Sequence, residues 1–146
     1  MNYSRSLGKK LNNLLEKIYI SENEFERAGK LADSPSLKNF FFDKAKERCH
    51  FGHELKIEMM KFNQEIRENV GSAGTLQQGW MDFSINRNEP MFVGAIEAEG
   101  ATLDSYRMVL QEIDLPSSVE VIIRQQMNKI SNDLNIIKRL GKIAQS

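Results

Sequence analysis

The sequence predicts an all-α protein: a four-helix bundle of two antiparallel helical hairpins, joined by a long crossover containing a short helix. Three observations predict it. Apolar residues recur at spacings of three, four or seven along four separate stretches. Only three prolines interrupt the 146 residues, so long helices are allowed. Between the second and third stretches, over residues 69–88, the periodicity stops and Gly71, Gly74 and Gly79 appear.

The first helix is predicted from Leu7, Leu11, Leu14, Ile18, Phe25, Ala28 and Ala32, the seam of a helix packed in a bundle. Between Ile18 and Phe25 the repeat falls on Glu22, a carboxylate where a core residue is expected. Ser34 and Pro35 then form a break, with Ser34 suited to an N-cap and Pro35 to the first helical position. The second helix is expected from about Pro35 to about Glu68, through Leu37, Phe40, Phe41, Phe51, Leu55, Phe62 and Ile66. Glu47 and His50 lie on that face. A connection as long as 69–88 exceeds what neighbouring antiparallel helices need. It suits a crossover along a helix of about 37 Å, with Thr75 to Asn86 as a short helix carrying Trp80 and Phe83.

The third helix starts near Glu89 and Pro90 and runs through Phe92, Ile96, Leu103, Tyr106, Leu110 and Ile113, with Glu99 as its odd seam residue. Asp114, Leu115 and Pro116 end it. The fourth follows Val119, Ile123, Ile130, Leu134 and Ile137, with Gln126 in the seam and Gly141 at a fraying end. The separation of Glu22 from Glu47 nearly equals that of Glu99 from Gln126, so the halves share an architecture.

Composition narrows the function classes. The length fits one domain over residues 1–146. Lys plus Arg and Asp plus Glu each count 20, so no basic excess points to nucleic acid. The first ten residues lack the apolar core of a secretory signal, and no apolar run approaches a membrane span of about 20 residues. The single cysteine, Cys49, rules out an internal disulfide. A cytoplasmic protein without membrane or nucleic-acid partners is expected, and aromatics in the connection would favour a homodimer or higher homo-oligomer.

The candidate chemistry is a metal site. A carboxylate buried in a bundle seam must be paired, protonated or metal-bound. Glu47 and His50 lie one helical turn apart on one helix, and Glu22 and Glu99 occupy seams of two others. Ferritin-like bundles answer this problem with one Glu from each of two helices and a Glu-x-x-His from each of the others. Glu22, Glu47, His50 and Glu99 would fill four of those six places, with oxygen and imidazole donors suited to iron, manganese or zinc. On the fourth helix the place of the second motif is taken by Gln126, Met127, Asn128 and Lys129. An amide is a weak ligand and Lys129 a cation, so one ion is accommodated better than two. The opposing reading is a metal-free layer in which these residues hydrogen-bond one another, with Arg48 or Lys129 as counter-ion. Tyr106, on the stripe of Glu99, reads as a redox tyrosine or as core with a bonded hydroxyl.

Certain residues also carry a resemblance. They are Glu22 before Phe25, Glu47-Arg48 leading to Glu54-Leu55, and Gly79-Trp80-Met81-Asp82. Glu99 ahead of Tyr106, Leu115-Pro116 and Gln126 complete them. With these the chain resembles, from about Leu11 to Leu140, a bacterial family of ferritin-like, rubrerythrin-related four-helix-bundle proteins, a domain of unknown function. The resemblance implies the ferritin-like fold, and metal-ligand positions at Glu22, Glu47, His50 and Glu99. Gln126 and Lys129 depart from the ferritin pattern, so iron storage and oxidase chemistry do not carry over. Two functions follow as expectations: a metal-binding protein linked to oxidative or general stress, and a metal-free interaction or assembly module with a buried polar layer.

Overall fold

Each of the four apolar stretches forms one long helix in the computed structural model, which describes residues 2–67 and 88–145. The helices are α1 (Tyr3–Leu31), α2 (Pro35–Lys61), α3 (Asn88–Glu112) and α4 (Ser117–Gln145). No strand occurs among the described residues.

Local chemistry sets the helix ends. The Asn2 side chain accepts a hydrogen bond from the Arg5 N–H at 2.8 Å, and Ser34 accepts one from the Leu37 N–H at 3.2 Å. Both are caps that satisfy an otherwise unpaired donor of the first turn. Pro35 sits where a missing N–H costs nothing. The last carbonyls of α1 are served by Lys38, whose ammonium donates to Gly29 and Lys30 at 3.3 and 3.1 Å.

Two helix ends differ from expectation. α2 stops at Lys61, seven residues short of Glu68. Asn63 takes the left-handed conformation, φ 58°, which asparagine tolerates and which turns the chain back. Ile66 still reaches the core, but from a non-helical segment; its burial, not its helicity, gave the spacing. At the other end of the chain, α4 continues past Gly141 to Gln145. A Cβ at Gly141 would stand 3.3 Å from that of Phe92, so the glycine allows α4 to approach α3 closely.

α1 packs on α2 and α3, and α4 packs on α3 and α2, which leaves α1 and α4 on one diagonal. Neighbours are antiparallel. The Tyr3 hydroxyl donates to the Asp114 carbonyl, and Lys10 pairs with Glu112 at 2.8 Å. Lys44 of α2 pairs with Asp133 of α4, while Glu54 meets Gln126. The end of α2 therefore lies beside the start of α1, where Gln64 donates to Ser4 at 3.0 Å. The start of α3 lies at the other end, where Phe92 packs on Phe41 with ring centroids 6.0 Å apart. The residues between, including the expected short helix and Trp80, lie outside the described residues.

The core comes in two parts. One contains Leu11, Leu15, Ile18, Phe51, Leu55, Leu103, Tyr106, Ile123 and Ile130. The other contains Phe25, Ala28, Phe41, Ala45, Phe92, Ala95 and Ile137. On every helix the division falls at one place: Ser21, Arg48, Glu99 and Asp133, all buried, separate the two sets.

Beyond α2 the chain is held by Asn12, whose buried amide donates to the Glu65 carbonyl at 2.8 Å and accepts from the Arg67 N–H at 2.9 Å. Arg67 adds a bond to Asn13 at 2.9 Å. The pairing of one side chain with two alternate backbone groups fixes this segment along α1. Replacing Asn12 with Ala leaves both backbone groups short of a partner, at a cost of about 1–3 kcal/mol. Urea unfolding of Asn12→Ala should show that loss, and amide exchange should accelerate at Arg67.

Candidate functional site

The layer between the two core halves is built on Arg48. Its guanidinium is fully buried, 0 % exposed, and arginine cannot shed its charge to escape that cost. Four side chains answer it. Nε donates to the Ser21 hydroxyl at 3.2 Å. Nη1 donates to Glu47 at 2.7 Å and to Asp133 at 3.3 Å, and Nη2 donates to Glu99. The guanidinium carbon also lies 5.2 Å from the ring centroids of both Phe25 and Phe51. Partners thus come from all four helices, and one aromatic ring comes from each half of the core.

Lys44 extends the layer toward solvent, 2.9 Å from Asp133 and 3.7 Å from Glu47. Three carboxyls then face two cations, one negative charge in excess. Glu47 and Asp133 resolve this with a hydrogen bond between them. Burial pushes the Glu47 carboxyl up to about 7, reinforced by Asp133 and opposed by Arg48 and Lys44. The Asp133 carboxyl lies below its ordinary value, because the Glu47 hydrogen bond and the two cations together outweigh its burial. The pair thus holds one proton between them, with Glu47 shifted upward and Asp133 downward. Burial also raises the Glu99 carboxyl, against the pull of Arg48.

A second polar layer lies two turns away. The Tyr106 hydroxyl donates to Gln126 Oε1 at 2.7 Å. Gln126 Nε2 donates to the Phe51 carbonyl at 3.1 Å and to Glu54 at 3.0 Å. Burial drives the Tyr106 hydroxyl far above its ordinary value, so it stays a protonated donor.

Of the five residues singled out by sequence, the structure brings Glu47 and Glu99 together, on one guanidinium. Glu22 is half-buried beside Cys49, and burial raises both groups. His50 is exposed on the outer face of α2, in a cleft with Asp43, Lys46, Glu47, Glu54 and Lys129. Gln126 is committed to the Tyr106 layer. Among the described residues no three His, Cys, Asp or Glu side chains form a group able to hold a metal ion. The arrangement does not fit a resident metal, since the point where the carboxylates converge carries the permanent charge of Arg48. No helix of the described residues is long and apolar enough to cross a membrane.

Sequence reading missed Ser21 and Asp133 and gave Arg48 only a counter-ion's part. For Arg48 and Asp133 the signal was present. A strict alternation of fours and threes runs through residues 41, 45, 48, 52, 55 and 59, and places Arg48 inward. The same alternation through 119, 123, 126, 130, 133 and 137 places Asp133 inward. A seam drawn through both Phe40 and Phe41 placed Glu47 inside, one residue and so about 100° from Arg48, and carried the exposed His50 inward with it.

A family model described as a domain of unknown function (DUF2383) matches residues 6–112. The match takes in Ser21, Glu47, Arg48 and Glu99 and ends at the last residue of α3, so Asp133 and Gln126 lie beyond it. No curated protein and no solved structure matches the chain.

The shared proton has a consequence for stability. A carboxyl raised on folding binds its proton more tightly in the folded chain. Its contribution is complete below the ordinary value of 4.5 and is lost as pH rises through about 7. Denaturant unfolding from pH 4.5 to 8 should show that decline. Glu47→Gln, whose amide still donates to Asp133 but cannot titrate, should flatten it near neutrality; an unchanged slope would contradict the assignment.

Proposed function

We propose, from the premise that the chain belongs to the DUF2383 family of domains of unknown function, that it is a metal-free helical-bundle module for interaction or assembly. The observation that carries this reading is the buried Arg48 guanidinium, bonded to Ser21, Glu47, Glu99 and Asp133. A protein cation already sits where seam carboxylates would otherwise gather a metal ion. A metal placed there would meet like charge at a distance where repulsion in a buried setting is severe.

In this reading residues 1–146 form one domain of ferritin-like connectivity, with the connection between α2 and α3 crossing the length of the bundle. Support comes from the opposite placement of those two helix ends and from the path of residues 64–67 along α1. The surface offered includes Ile57 and Met60, 55 % and 63 % exposed and one turn apart on α2. Apolar side chains so placed favour self-association into a homodimer or higher oligomer. The competing reading, iron, manganese or zinc on Glu22, Glu47, His50, Glu99 and Gln126 with a role in stress, draws on the burial of Glu99 and Gln126 alone.

Elemental analysis of protein purified without chelator separates the two. Substoichiometric metal is expected, with no shift in the melting midpoint on adding Fe²⁺, Mn²⁺ or Zn²⁺. One ion per chain, lost in His50→Ala, would overturn the proposal. Light scattering on the same preparation reads self-association, and the mass of a single chain would remove that part.

A further inference from the structure

We infer that the centre of the bundle is a guanidinium-binding site, occupied by the chain's own Arg48. The inference rests on the metal-free reading above and adds the class of cation that the centre selects. Every nitrogen of the guanidinium has an acceptor: Ser21 at Nε, Glu47 and Asp133 at Nη1, and Glu99 at Nη2. Phe25 and Phe51 bring a ring each to 5.2 Å from its carbon.

Acceptors at the nitrogens together with nearby aromatic rings suit a flat, delocalised and weakly hydrated cation. They suit a compact ion poorly. An ammonium concentrates its charge and its hydration, and a divalent ion demands oxygen ligands on several sides. Two phenylalanines supply none. Ser21, Glu99, Asp133 and Phe25 stand on helices other than α2, so much of the site does not depend on the tether that fills it. Asp133 and Glu47 are further held by Lys44, and Lys129 lies 5.8 Å from the Phe51 ring. These neighbours leave one vacancy of charge and shape when the Arg48 head is removed.

Chemical rescue tests this on the full chain. Arg48→Ala lacks the atoms of ethylguanidinium, which is therefore the probe. At ten times its dissociation constant it should raise the folding equilibrium constant of Arg48→Ala about elevenfold, and leave the parent protein unaffected at the same concentration. Ethylammonium, Mn²⁺ and Zn²⁺ should not substitute for it. Stabilisation by Mn²⁺ or Zn²⁺ in its place would mean that the carboxylates, not the whole receptor, define the site. No response to ethylguanidinium also overturns the inference.

If Arg48→Ala does not fold, nitrogen NMR of the parent protein decides. Hindered rotation should give separate, slowly exchanging Nη signals for Arg48; one averaged, rapidly exchanging signal contradicts a held guanidinium. Stoichiometric metal in the parent protein would sink the metal-free reading itself. A metal-free parent whose Arg48→Ala variant ignores ethylguanidinium sinks only the present inference.

Discussion

A guanidinium fully removed from water is the constraint on which the rest of the bundle depends. Removing one charged partner from such a set costs about 3–5 kcal/mol, a large part of the stability of an ordinary domain. Arg48 is tolerable only if Ser21, Glu47, Glu99 and Asp133 all arrive. Each helix must deliver one group to one point. A slip of any helix by a residue would rotate its group by about 100° and leave a buried charge uncompensated. Apolar cores tolerate many packings of similar volume; an ionic layer between two apolar halves does not.

The Tyr106–Gln126–Glu54 layer adds a second such fix, weaker because most of its groups are neutral. Together the two layers join α2, α3 and α4 at two heights, while the Arg48 layer alone includes α1. The charge count explains where the layer meets solvent. Glu47 and Lys44 stand at its edge, with side chains 24 % and 16 % exposed, whereas Glu99 is 3 % exposed. The proton that balances the third carboxyl is therefore held at the edge next to the cleft of His50 and Lys129. Exchange with solvent there needs no opening of the core.

The four helices were legible because three- and four-residue spacing reports burial on a helix directly. Glu99 and Gln126 were legible as polar residues interrupting an apolar seam. The same logic failed at Glu22, where the interior place belongs to Ser21, a residue too small and neutral to interrupt a pattern. It failed at Arg48 because a buried arginine is rare, so its neighbour Glu47 was the easier residue to place inside. Asp133 went unnoticed between Ile130 and Leu134, both apolar. The end of α2 was obscured for a different reason: Ile66 is partly buried against the core without being helical. What the sequence could not supply was the direction of a side chain one residue away from an expected seam, and a site chemistry turns on that.

The most direct measurement of the central claim is a comparison of unfolding free energies across the ionic layer. Arg48→Met strands Glu99, while Asp133 keeps Lys44 at 2.9 Å, and should cost about 3–5 kcal/mol. Arg48→Met combined with Glu99→Leu removes the stranded charge and keeps the Lys44–Asp133 pair, and should recover most of that loss. A single substitution costing less than about 1 kcal/mol, the range of an exposed pair, would contradict the account. So would a double variant whose losses simply add.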